Sequence, residues 1–228
     1  MTSHWIQHEH NPNLIVVFNG WGMDQHPLRS LHCDPQDDVL LFYDYRDLTL
    51  DDEVLHQCQH YTDVSVIAWS MGVWAYARLS SHLSGRVSRA IAVNGTCLPI
   101  HEQYGISPHL YQATLSHFSA QSREKFFKRM CTSREIFNRF HESQPQRILA
   151  GQQEELLAIQ QQAISPFPLE AFCYTHAIIG RKDRIIPVRN QQHFWEQHAP
   201  YTLIDAPHFP FFRWKRWRAI LDYATEYS

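Results

Sequence analysis

Val64-Ser-Val-Ile-Ala-Trp-Ser-Met-Gly-Val-Trp-Ala-Tyr76 sets one hydroxyl, that of Ser70, between two apolar runs. Val64–Ala68 is the short β-rich run of a buried strand, and from Gly72 the apolar residues recur three and four apart, as on a buried helix. Only Trp69, Ser70 and Met71 join them, so the chain must turn sharply and Ser70 must sit on the turn. A strand and a helix packed this closely need small residues on either side, and Ala68 and Gly72 supply them. The pentapeptide taken alone also fits a serine that caps the helix N-terminus.

Outward from this joint the same alternation repeats. Strand-like runs occur at Leu14–Phe18, Val39–Tyr43, Ala90–Asn94, Tyr174–Gly180 and Tyr201–Ile204. Helical spacing marks Asp51–His60, Gly72–His82, Val188–His198 and Phe211–Glu226. This predicts an α/β fold with a mostly parallel, doubly wound sheet. Residues 97–172 interrupt it with helical stretches near His117–Met130, Ser133–His141 and Gln152–Ala163. They are expected to form an inserted helical cap on a core of residues 1–96 and 173–228. Thr132-Ser133-Arg134-Glu135 fits a capping box opening the middle cap helix, and Ser165-Pro166 with Pro168 closes the segment.

A formal charge of −3 and a pI near 6.6 lack the basic surplus of a nucleic-acid binder. No apolar run approaches the ~18 residues of a membrane span, and the N-terminus lacks a secretory pattern. A soluble, cytoplasmic protein is expected. Cys33, Cys58, Cys97, Cys131 and Cys173 form no C-x-x-C pair and read as reduced thiols. Among the 16 histidines, His8, His10, His56 and His60 invite a metal reading, but there is no H-E-x-x-H and no third ligand near the last pair. No metal or organic cofactor is expected.

Ala68-Trp-Ser-Met-Gly72 between strand and helix has the context of a nucleophile elbow, with alanine in place of the usual first glycine. A serine nucleophile needs a base, and the base an orienting acid. Asp183, in Gly180-Arg-Lys-Asp-Arg-Ile-Ile-Pro187, and His208, in Asp205-Ala-Pro-His-Phe-Pro-Phe211, each follow a strand, so both belong on the same sheet edge as Ser70. Asp205 is a rival acid, but it stands only three residues from His208. Phe18-Asn-Gly-Trp-Gly-Met-Asp24 follows the first strand, and its glycines suit an oxyanion hole formed by the N–H groups of Trp21 and Met71. Trp21 and Trp69 would wall the substrate site.

Asn19-Gly-Trp-Gly-Met23, Ala68-Trp-Ser-Met-Gly72, Gly180-Arg-Lys-Asp183 and Ala206-Pro-His-Phe-Pro-Phe211 resemble the α/β-hydrolases, and within them the BioG-type pimeloyl-[acyl-carrier protein] methyl ester esterases. The first, second and last are similar also to the BioH type. The resemblance implies hydrolysis of the methyl ester on a pimeloyl chain held by acyl carrier protein, in biotin synthesis. A general short-chain carboxylesterase, an acyl thioesterase and a catalytically silent binding protein stay open as alternatives. Between Gln121 and Ala150, seven Lys and Arg stand against three Glu. Arg123, Lys128, Arg129 and Arg139 in this window are expected to dock the acidic carrier protein.

Overall fold

The computed structural model describes residues 1–83, 87–164 and 173–226 of the 228-residue chain. Among these, seven strands form one sheet: β1 (Thr2–Gln7), β2 (Asn13–Phe18), β3 (Asp37–Tyr43), β4 (Asp63–Trp69), β5 (Val87–Val93), β6 (His176–Lys182) and β7 (Tyr201–Pro207). Their order is β1-β3-β2-β4-β5-β6-β7. Only β1 runs antiparallel, against β3, and the other neighbours are parallel.

The helices are α1 (Asp52–Cys58), α2 (Met71–Leu83), α3 (Pro108–Ser116), α4 (Ala120–Cys131), α5 (Arg134–His141), α6 (Leu149–Ala163), α7 (Val188–Trp195) and α8 (Arg218–Glu226). Both faces of the sheet are covered because successive strand side chains point in opposite directions. Leu14, Val16 and Phe18 of β2 pack with Val73, Trp74 and Tyr76 of α2 and with Phe194 and Trp195 of α7. Ile15 and Val17 pack on the other side with Ile220 and Leu221 of α8. Parallel strands of this kind bring the β2, β4, β6 and β7 ends, and the loops after them, to one edge.

The four helices α3 to α6, between β5 and β6, each contribute part of their apolar residues to these same two clusters. Tyr111, Leu115, Leu156 and Ile159 join the α2 side, and Phe127, Met130 and Phe140 join the α8 side. The five cysteines are free thiols. Burial pushes Cys58 up to about 11 and Cys131 up to about 12, so both stay protonated and unreactive near neutrality.

Several elements differ from the sequence expectation. Strand β1 was not anticipated, because it is a half-exposed edge strand of mixed polarity with no clean alternation. Helix α3 was missed although Ser107 caps it, accepting the Leu110 N–H, and Pro108 occupies its first turn, the N-terminal signature of a helix. The expected helix over Phe211–Glu226 is instead a 3-10 turn at Phe211–Arg213, an extended stretch, and α8 from Arg218. Phe211, Trp214 and Trp217 are buried at a spacing of three that imitates a helix. The backbone of Lys215 to Trp217 pairs with His32, which rules the helix out there. Thr132 does not open α5. It ends α4 with a φ of +65°, and Ser133 is the cap, accepting the Ile136 N–H. The reciprocal capping box lies one helix earlier, between Ser119 and Ser122. The expected stop at Ser165-Pro166 and Pro168 falls outside the described residues.

The joint between β4 and α2 depends on Gly72. A Cβ there would lie 2.1 Å from the carbonyl oxygen of Phe18 and 2.6 Å from that of Asn19, inside backbone that cannot yield. A Cβ on Gly151, in α6, would meet nothing nearer than Ile148 at 3.5 Å. Gly72→Ala should therefore cost roughly 2–4 kcal/mol or prevent folding. Gly151→Ala should raise stability by about 0.5–1 kcal/mol through helix propensity. Urea denaturation of the two variants checks the opposite signs.

Candidate active site

Ser70 sits between β4 and α2 with a φ of +57°, in the left-handed region that costs a non-glycine residue about 1–2 kcal/mol. Neighbours hold it there. Its N–H donates to the Val93 carbonyl at the end of β5, and its own carbonyl accepts the Val73 N–H in the first turn of α2. The Oγ is thereby turned out of the sheet and meets His208 Nε2 at 2.9 Å. His208 Nδ1 lies 2.8 Å from Asp183 Oδ2. All three side chains are buried, so no bulk water competes for these contacts.

Each partner is fixed in turn. Asp183 Oδ1 accepts the Ile185 and Ile186 N–H groups, and Oδ2 accepts Gln191 Nε2 at 2.9 Å as well as the imidazole. The His208 carbonyl accepts the Trp69 indole N–H and the Asn94 amide. Asn94 also bonds the Pro207 carbonyl and, through Oδ1, the Gly180 N–H. One buried amide thus ties the ends of β5, β6 and β7 together beneath the histidine. Asp205, the rival acid, is exposed and pairs with Lys182, whose hydrogen bond holds its carboxyl below the usual carboxylate range.

The loop after β2 completes this edge. Met23 N–H donates to the Gly20 carbonyl, closing a turn whose third residue, Gly22, has a φ of +73° as a type II turn requires. Asn19 N–H donates to Phe42, Gly20 N–H to the Asn19 side chain and Gly22 N–H to Glu155. Among the described residues the Trp21 N–H has no such acceptor. Met71 opens α2, so its N–H has no carbonyl one turn earlier in the helix to bond.

A cavity of about 290 Å³ lies over Ser70 and His208. Trp21, Trp69 and Met71 line it from the sheet edge, and Leu110, Phe126 and Leu156 line it from α3, α4 and α6. Trp69 plays a second part by holding the histidine loop, and the Trp21 ring meets Phe118 and Phe126 edge to face. Arg129 is the cation at this cavity, with a guanidinium N–H on the Arg184 carbonyl.

The other basic residues singled out in the sequence differ in their surroundings. Arg123 is half-buried and bonds Gln152, Lys128 pairs with Glu124, and Arg139 lies 4.0 Å over the Phe212 ring. Arg147, counted in the same basic window, is half-buried and forms ion pairs with Asp44 and Glu155. His8, His10, His56 and His60 do line one surface cavity with Glu53. Among the described residues no three His, Cys, Asp or Glu are placed to hold one metal ion. No helix among them is long and apolar enough to cross a membrane.

Sequence reasoning did not find Gln191, Asn94, Gln152 or Glu155. Gln191 had a readable signal, a polar residue on the buried stripe of α7 with Phe194 and Trp195. Asn94-Gly95, ending a strand, is a dipeptide that favours positive φ, and Asn94 indeed has a φ of +46°. Gln152 and Glu155 touch residues more than 100 positions away, which no local pattern reveals.

The sheet order, the elbow and the loops on one edge define an α/β-hydrolase fold. The chain matches over residues 1–220 the family described as pimeloyl-ACP methyl esterase BioG, and it belongs to that family. A crystal structure of BioG from Haemophilus influenzae superposes with a TM-score of 0.88 at 29% identity, covering 96% of this chain and 99% of that one. The chain is 38% identical over 185 residues to a malonyl-[acyl-carrier protein] O-methyltransferase of Bacteroides fragilis. That match covers 81% of this chain but only 37% of the relative. An esterase from Exiguobacterium antarcticum, at 16% identity and a TM-score of 0.72, shares the fold.

Removing the Asn94 amide takes away the acceptor of the Gly180 N–H, the donor to the Pro207 carbonyl and one of the two donors to the His208 carbonyl. Asn94→Ala should cost about 2–3 kcal/mol, the penalty for a buried unpaired donor plus the positive φ. A shift of the urea midpoint measures it.

Proposed function

We propose that the protein is a serine esterase that hydrolyses the methyl ester of a pimeloyl chain carried by acyl carrier protein. The observation that carries this reading is the Ser70–His208–Asp183 chain of contacts, at 2.9 and 2.8 Å, at the base of a largely apolar cavity. Membership of the BioG family supports the choice of ester. The name of the Bacteroides fragilis relative supports a carrier-bound acyl substrate and a methyl group at its end.

In this mechanism Ser70 Oγ attacks the ester carbonyl while His208 Nε2 takes its proton. Asp183 holds the imidazole in the tautomer that presents Nε2 as acceptor and stabilises the imidazolium once formed. The negative charge on the tetrahedral oxygen falls to the N–H groups of Trp21 and Met71, donors whose individual loss typically costs about 100- to 1000-fold in rate. Methanol leaves with the proton returned by His208, and a water molecule then repeats the attack on the acyl-serine to release the acid. Every step is proton transfer and acyl transfer among these residues and water.

The apolar side chains of Leu110, Phe126, Met130 and Leu156 suit a polymethylene chain, and Arg129 stands at the same cavity. The exposed Lys128, Arg129 and Arg139 are proposed to meet the acidic carrier protein, while Arg123, turned inward onto Gln152, contributes to the seating of α4. Neutralising Lys128 and Arg139, which lie outside the cavity lining, should raise KM for the carrier-bound ester and leave a small soluble ester unaffected. Equal effects on both substrates would place the carrier elsewhere.

Mass spectrometry of acyl carrier protein bearing methyl pimelate tests the reaction itself. Wild-type protein should remove one methylene's mass from the acyl group, Ser70→Ala should remove none, and an unchanged carrier with folded wild type would reject the proposal. Asp183→Asn should reduce turnover by about four orders of magnitude, as a wrong tautomer does, whereas Asp205→Asn should leave it near wild type. The rate should fall on acidification from about pH 8 to pH 5 as a histidine base is protonated. A flat profile over that range would exclude His208 as the base.

A further inference from the structure

Glu155 is a fully buried carboxylate in α6 that the chemistry above does not use. Its Oε1 accepts the Tyr45 N–H at 3.0 Å, and its Oε2 accepts the Gly22 N–H at 3.1 Å and an Arg147 guanidinium N–H. Arg147 pairs also with Asp44 at 2.9 Å, Asp44 with Arg46 at 2.7 Å, and Arg46 with Glu154 at 3.0 Å. This chain of charges crosses twice between the helical insertion and the sheet. Buried charge is costly unless fully paired, and replacing such a network with apolar residues is often neutral or stabilising. Bulk stability therefore gives little reason to keep a carboxylate here.

What the network reaches is the loop after β2. Gln152 stands one turn before Glu155 on the same face of α6. Its Nε2 bonds the Gly22 carbonyl and its carbonyl accepts the Trp21 indole N–H. One turn of α6 thus holds both polar groups of Gly22 and the side chain of Trp21. In the turn closed by Gly20 and Met23, the peptide between Trp21 and Gly22 is the one that can flip between turn types. Glu155 holds its N–H and so fixes its plane. The N–H left over in this run is that of Trp21, the proposed oxyanion donor.

We propose that Glu155, paired with Arg147, is a positioning residue for the oxyanion hole: by fixing the Trp21–Gly22 peptide it holds the turn in one form, and with it the adjoining Gly20–Trp21 peptide, whose N–H is thereby presented to the reacting oxygen, so that turnover depends on how the helical insertion seats on the sheet. The inference rests on the esterase reading. A carboxylate is needed because both oxygens accept. A glutamine of the same shape has one acceptor and one donor, and its NH2 would face the N–H of Tyr45, or those of Gly22 and Arg147.

The test compares wild type with Glu155→Gln on a p-nitrophenyl ester, after circular dichroism has shown that each is folded. A folded wild type with no ester turnover would defeat the esterase reading and this inference with it. With an active wild type, Glu155→Gln should lower kcat roughly tenfold or more while KM changes less than about twofold, the signature of an interaction made in the transition state. The plateau of the pH–rate profile should drop without movement of its inflection. The inhibition constant of an alkyl boronic acid, which forms a tetrahedral adduct on serine, should rise by the same factor as kcat/KM falls. A folded Glu155→Gln with wild-type kcat, or with a raised KM and unchanged kcat, would overturn the proposal. Should that variant fail to fold, Arg147→Lys is judged by the same criteria, because a lysine cannot hold Asp44 and Glu155 with two prongs of one fork.

Discussion

The backbone of Ser70, held in the left-handed region at φ +57°, is the constraint on which the rest of the edge depends. A serine does not adopt that conformation unaided, so the surroundings must overdetermine it. The close contact of Gly72 with the Phe18 and Asn19 carbonyls sets how near α2 lies to β2, and the bond from Ser70 N–H to Val93 fixes the turn against β5. A side chain at position 72 would push the helix away and lower the serine back toward the sheet.

The remaining groups are placed by the same logic of short, buried, directional bonds. Asn94 gathers the ends of three strands beneath His208, Trp69 holds the same carbonyl from β4, and Gln191 and two backbone N–H groups hold Asp183. The imidazole is thereby held 2.9 Å from Ser70 Oγ. The helical insertion belongs to this arrangement as well. Its apolar residues enter the two clusters of the sheet, and its Gln152 and Glu155 hold the loop after β2.

Much of this was legible in the sequence because it is local. The elbow is five consecutive residues, Asp183 and His208 each follow a strand with hydrophobic character strong enough to read, and parallel topology brings their loops to one edge. The unread parts have physical causes. Edge strand β1 is half-exposed, so burial leaves no periodic imprint on it. Trp214 and Trp217 are spaced as on a helix but pack from an extended segment paired with His32. A count of basic residues along the chain does not tell which of them reach the surface: Arg147 turns inward to two carboxylates and Arg123 to Gln152. Asn94, Gln152 and Glu155 act across long separations, and only the folded chain brings their partners together.

The central claim is that the strained Ser70, and no other hydroxyl in the chain, is the nucleophile. The most direct measurement is peptide mapping by mass spectrometry after reaction of the folded protein with a fluorophosphonate. The expected result is a single adduct, on the peptide containing Ser70, and none after prior unfolding in urea. Absence of an adduct on the folded protein, or an adduct on a different serine, would contradict it.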